Sequence, residues 1–208
     1  MLLEMGRKRM GSFLGSIGRG FRMLFRFGGR DRPGQFWPYA GMVILLSFIA
    51  MIGMMMPPVF DSIARMQRFA AEHPELTTVE SGPGHYSMTI HGYHPELMPD
   101  MDGLIVRMAV IAALTIVLFA GAVARRLHDR GKSALLGLLP LPFIVLGFAI
   151  MPQLFHSVAA TTPDVHLFMR LFPLLFLNNL LYLASLAYLV VQLVSAGTRE
   201  PNRFGEGA

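Results

Sequence analysis

Four long runs with almost no charge decide what this chain can fold into. Residues 36–56, 134–155 and 171–194 carry no charged side chain, and 104–124 carries only Arg107, one turn from its start. The hydrocarbon core of a bilayer, about 30 Å thick, is crossed by roughly 20 residues at the helical rise of 1.5 Å. A chain of 208 residues that is 53% hydrophobic and 15% charged has too little polar surface to enclose four such runs in water. In lipid the backbone must satisfy its own hydrogen bonds, so each run is expected as a helix. The fold class is therefore all-α: a four-helix transmembrane bundle with spans 36–56, 104–124, 134–155 and 171–194, in one domain over 36–208. Pro140 and Pro142 interrupt the third span.

Basic residues near span ends set orientation. Eight precede the first span, from Arg7 to Arg32. Arg125, Arg126, Arg130 and Lys132 lie between spans two and three, and Arg199 and Arg203 follow span four. That face collects fourteen of the eighteen Lys and Arg, against Arg65, Arg68 and Arg170 on the other. Both termini are thus expected in the cytoplasm, and the acidic segment 57–103, about 45 residues, outside.

Residues 1–35 lack the unbroken apolar core and cleavage site of a secretory signal. Met10, Phe13, Leu14, Ile17, Phe21, Leu24 and Phe25 recur at helical spacing, with Arg19, Arg22 and Arg26 on other sides of the same helix. A basic amphipathic helix on an anionic membrane surface is the expectation, and anionic phospholipid the implied partner. The net charge of +5 is not read as nucleic-acid binding, because the basic residues border hydrophobic spans and no groove-reading motif accompanies them. In the outer segment, Val59, Ile63, Met66 and Ala70 predict a short helix continuing or folding back from span one. Residues 76–80, the turn residues 81–84, and the alternating Tyr86, Met88 and Ile90 predict a small hairpin.

Three motifs recur in a recognisable order: GRDRPGQFW at 29–37, ARRLHDRGKS at 124–133 and PNRFGEG at 201–207. Together they resemble the bacterial family catalogued as domain of unknown function 805. In that family a Gly-Arg, basic, Phe-Trp entry leads the first span, an Arg-Arg-Leu-His-Asp-x-Gly-x-Ser motif joins the second and third, and Asn-Arg-Tyr-Gly-Pro closes the chain. Departures are the long insert 57–103, the spacing of the Gly-Arg, Phe204 for Tyr and Glu206 for Pro. The resemblance implies a multi-pass bacterial inner-membrane protein and transfers no biochemical activity.

The central motif also reads on its own. Arg125 and Asp129, four apart on an extended second span, are expected to pair, while Arg126 and Arg130 share a face without an acid. Gly131 suits a left-handed helix stop, Lys132 lies near the negative helix end, and Ser133 can cap the third span. Arg32, Arg125, Arg126, His128, Asp129, Asn202 and Arg203 should then meet in one polar collar, the candidate site for lipid headgroups or a partner. Its ion pairs are expected to be exposed, contributing about 0 to 1 kcal/mol each. Within span four, Asn178, Asn179, Tyr182 and Ser185 are candidates for helix packing or, alternatively, a transport pathway.

His85, His91 and His94, with Glu96, Met88, Met98 and Met101 nearby, lack the paired spacing of a zinc site, so no metal or cofactor is implied. No Gly-x-Ser-x-Gly, His-Glu-x-x-His or paired acidic motif points to an enzyme. The leading reading is a noncatalytic scaffold or envelope factor acting through its collar and lipid contacts. The alternative is a transporter or channel subunit, with an intramembrane enzyme behind it. A homo-oligomer or another membrane protein is a possible partner.

Overall fold

The computed structural model describes the backbone of residues 2–159 and 162–205, and their side chains from residue 11 onward except at position 95. Five α-helices are found among these residues: α1 (Leu2–Arg22), α2 (Pro33–Glu72), α3 (Met101–Asp129), α4 (Leu141–Ala159) and α5 (Val165–Val194). The last four are long and apolar enough to cross a membrane, α4 together with the 3-10 turn Ala134–Leu138 that precedes it. The expected spans 36–56, 104–124 and 171–194 each lie within one α-helix that extends past its apolar run, because polar flanks continue the same backbone hydrogen bonding, while 134–155 is a 3-10 turn followed by α4.

At 40 residues, α2 is about 60 Å long, twice the thickness of the hydrocarbon core. It runs through Pro57 and Pro58, so the expected short helix continues from span one. The break before α4 falls where the prolines require it. Pro140 has no N–H to donate, and α4 begins at the next residue.

The insert contains the expected hairpin, β1 (Thr77–Gly82) against β2 (His85–Ile90), antiparallel in the register Thr77↔Ile90 to Gly82↔His85. A lone hairpin is marginal, and this one is anchored through its flanks. Ser62 Oγ donates to the Leu97 carbonyl at 3.1 Å, the Tyr93 hydroxyl reaches the Ala159 carbonyl, and His156 Nε2 lies 3.1 Å from Asp102 Oδ1.

The helices pair as two hairpins, α2 with α3 and α4 with α5, and α3 touches α4 and α5 over shorter stretches. Most apolar side chains at mid-span face outward, as helices in lipid require. The tight core, including Phe36, Tyr39, Val43, Leu127 and Leu193, lies where the start of α2 meets the ends of α3 and α5. Helix α1 packs onto α2 at Gly20, where a Cβ would sit 2.1 Å from the Tyr39 ring. Its Phe13 and Leu14 remain exposed; the side chains of Arg7, Lys8, Arg9 and Met10 lie outside the described residues.

Candidate functional site

The collar forms at the end of α3, and its chemistry starts from helix termini. The last carbonyls of a helix have no intrahelical donor and must find one elsewhere. Adjacent residues on a helix point about 100° apart, so two consecutive arginines can serve two different neighbours. Arg125 turns toward the segment after α1, donating to the Met23 carbonyl at 2.7 Å and to that of Arg26. Arg126 turns the other way, to the end of α5, donating to the carbonyls of Leu193 at 2.9 Å and Ser195 at 2.7 Å. Arg130 holds the same end through the Gln192 carbonyl and Oε1, at 3.0 and 2.7 Å.

Two carboxylates balance this positive charge. Asp31 accepts from Arg125 Nε at 2.8 Å and from Arg19 at 2.7 Å. Asp129 pairs with Arg126 and accepts from Arg30 Nε at 3.1 Å. Arg125, Arg126 and Asp129 are at most 1% exposed. The expected Arg125–Asp129 pair is therefore replaced: Arg125 finds an acid from a distant turn, and Asp129 takes Arg126 one turn back. The ion pairs expected at the surface are buried instead, since the connector before α2 and the tail after α5 both fold over them.

The tail is fastened by the same motif. The Thr198 amide donates to the Asp129 carbonyl at 2.9 Å, and Arg30 reaches the carbonyls of Thr198 and Glu200. Gly197 passes so close to Asp129 that a Cβ would lie 2.1 Å from its Oδ2. Asn202 Nδ2 donates to the His128 carbonyl at 3.0 Å, and the Phe204 ring stacks on His128 with centroids 3.8 Å apart. Gly131, at φ +68°, closes α3 in the left-handed conformation, and Ser133 Oγ accepts from the Leu135 amide as a cap.

Of the seven expected collar residues, Arg125, Arg126, His128, Asp129 and Asn202 come together. Exposed Arg203 joins them at the rim, 4.6 Å over the Phe204 ring that packs on His128, whereas Arg32 is exposed at the start of α2. Sequence reasoning missed Arg30, Asp31, Arg19 and Gln192. A usable signal existed for Asp31, the lone acid between Glu4 and Asp61 in a strongly basic stretch.

Asn178 donates to the Phe143 carbonyl of α4 at 3.0 Å, and Asn179 to Leu175 within its own helix at 3.1 Å. Ser185 bonds the Tyr182 carbonyl at 2.7 Å. Outside the spans, His91 meets Thr78 Oγ1 and His94 meets Glu96, at 2.9 and 3.0 Å. The Glu96 carboxyl is held below its usual range by its own backbone amide first and by His94 second. Among the described residues, no group of three or more His, Cys, Asp or Glu is placed to hold a metal ion.

One further feature adjoins the collar: an apolar cavity of about 720 Å³ between the two helical hairpins. Its walls reach from Phe27 and Trp37 at the collar end to Ala112 on α3.

Residues 24–206 match the model of a family described as a protein of unknown function (DUF805). The chain belongs to the DUF805 family. The match takes in all four spans, the tail and every collar residue except Arg19; Glu206 and Gly207 of the closing motif lie outside the described residues. Comparison with the curated proteins and with the solved structures finds no match in either.

Proposed function

We propose that this DUF805 protein is a noncatalytic scaffold or envelope factor of a bacterial inner membrane, with both termini cytoplasmic, acting through its collar face and contacts with anionic phospholipid. The observation that carries this reading is a division among the collar's cations. Arg30, Arg125 and Arg126 are engaged with carboxylates and main-chain carbonyls at the end of the bundle. Arg22, Arg26, Arg32, Lys132, Arg199 and Arg203 are exposed, with no ion pair among the described residues. Each basic group held near an anionic surface contributes about 1 kcal/mol, so this set favours a negatively charged leaflet. The exposed Phe13, Leu14 and Phe25 supply an apolar surface beside it.

Native mass spectrometry of the protein released from nanodiscs of mixed phosphatidylglycerol and phosphatidylcholine tests the reading. Phosphatidylglycerol should be enriched among retained lipids, and replacing Arg22, Arg26 and Arg32 with Gln should reduce the enrichment. Equal retention of both lipids by the wild-type chain would overturn it. Orientation has its own test in a chain without native Cys. A membrane-impermeant maleimide applied to intact cells should label Ser81→Cys and not Ala196→Cys; the reverse pattern refutes cytoplasmic termini.

A further inference from the structure

The cavity between the hairpins is a candidate lipid site with a definite size, depth and entrance. On α3 its wall runs from Ala112 to Ala124, about 18 Å at the helical rise, slightly more than half of a 30 Å hydrocarbon core. It therefore spans one leaflet, the leaflet on the collar side. Its lining is almost wholly apolar. The Thr115 hydroxyl is bonded to the Ile111 carbonyl and to Ser47, at 2.8 and 2.7 Å. An apolar cavity of this kind does not hold water, and in a bilayer hydrocarbon is at hand to fill it.

Depth separates the possible occupants. A pocket that runs only from the headgroup level to mid-bilayer follows the course of an acyl chain within one leaflet, whereas a transmembrane helix of a second copy or a partner would need a groove through both leaflets. The entrance supplies a headgroup preference. Phe27, Trp37 and Leu135 stand at the collar end and are 49%, 39% and 72% exposed. Trp is favoured at the level of lipid headgroups. Arg26 directly precedes Phe27, and Lys132 lies two residues before Ala134 of the wall; both are exposed and neither has an ion pair among the described residues.

We propose that this cavity holds one acyl chain of an anionic phospholipid from the collar-side leaflet, its headgroup at Arg26 and Lys132. The inference rests on the phospholipid contact proposed above and assigns it a place in the bundle. Phosphatidylglycerol and phosphatidylcholine probes, each with a diazirine near the end of one acyl chain, test it in nanodiscs, with cross-linked residues mapped by mass spectrometry. The phosphatidylglycerol probe should label Ala112, Thr115 and Ile116 several-fold more than Leu183, which lies on α5 outside the cavity. It should exceed the phosphatidylcholine probe there by about thirtyfold, as two basic groups at an anionic headgroup imply.

Ala120→Phe should abolish labelling within the cavity and leave Leu183 unchanged, and Ala112→Phe serves if the first variant fails to fold. Arg26→Gln with Lys132→Gln should remove the headgroup preference but retain the labelling. Equal labelling of wall and control residues, indifference to both filling variants, equal labelling by the two probes, or a cross-linked dimer at these positions would each overturn the proposal. Loss of phosphatidylglycerol enrichment in the retention experiment, with cavity labelling intact, would count against the proposed function alone.

Discussion

Nε of Arg125 lies 2.8 Å from Oδ2 of Asp31, 94 residues earlier in the chain, and the two side chains are only 1% and 5% exposed. This pair closes the connector between α1 and α2 onto the end of α3. Burial makes it conditional: both charges have lost hydration, and each is tolerable only while the other stays in place. Asp31→Asn should therefore lower stability by about 3–5 kcal/mol, the usual cost of leaving a buried charge without its counter-ion. The double variant Asp31→Leu with Arg125→Met should recover much of that loss. Thermal unfolding in nanodiscs checks both, and a silent Asp31→Asn would mean that water reaches Arg125.

Arg126 makes a sharper case, because its fork bonds Asp129 and two carbonyls at the end of α5 at once. Arg126→Ala should cost about 3–5 kcal/mol, far above the 0 to 1 kcal/mol of an exposed pair. Arg126→Lys keeps the charge but cannot reproduce the planar fork, so it should recover only part of the loss. Melting temperatures of the two variants beside the wild type decide this. A near-silent Arg126→Ala would refute a buried structural role.

The four spans were legible because lipid imposes one requirement on every residue in them, long apolarity, and that is local in sequence. The helix after Pro58, the hairpin, the left-handed Gly131 and the Ser133 cap were legible for a similar reason, since each depends on a few neighbouring residues; whether that helix continued α2 or folded back was not. The partner of Arg125 was not. Helical spacing offered Asp129, four residues away, and nothing local favours Asp31 over it. The choice is made by the fold of the connector, which brings the Asp31 amide to within 3.2 Å of the Arg125 carbonyl. Burial of the collar was hidden for the same reason: the covering segments, residues 23–32 and 195–205, look like polar loops until they are placed. The cavity depends on how two helical hairpins diverge, which no single helix records.

Gly197 tests how the tail is held. A methyl group there would overlap the Asp129 carboxylate, which is fixed by Arg30 and Arg126 and has no room to retreat. Gly197→Ala should displace the segment that follows and release the Thr198 and Asn202 contacts with α3. Faster tryptic cleavage after Arg199, with the spans still folded by circular dichroism, is the expected result. Cleavage at the wild-type rate would mean that the tail is anchored chiefly through the Phe204–His128 stack.

Asn178 separates packing from transport. Its Nδ2 holds the Phe143 carbonyl of α4, while its Oδ1 is buried without a partner among the described residues. An interhelical hydrogen bond in a membrane contributes only about 0.6 to 2 kcal/mol. Removing the unpartnered oxygen as well offsets part of that loss, since a buried unsatisfied acceptor itself costs about 1–3 kcal/mol. Asn178→Leu, close in size, should therefore change stability by no more than about 1 kcal/mol in either direction. Asn178→Asp, by contrast, puts a carboxylate against the Phe143 carbonyl in the contact between α4 and α5, and should destabilise strongly or take up a proton. If Asn178 instead bordered a path for ions, Asn178→Leu would alter flux across proteoliposomes at unchanged stability. Measured together, melting and flux distinguish a hydrogen bond that joins α4 to α5 from a group that meets a moving solute.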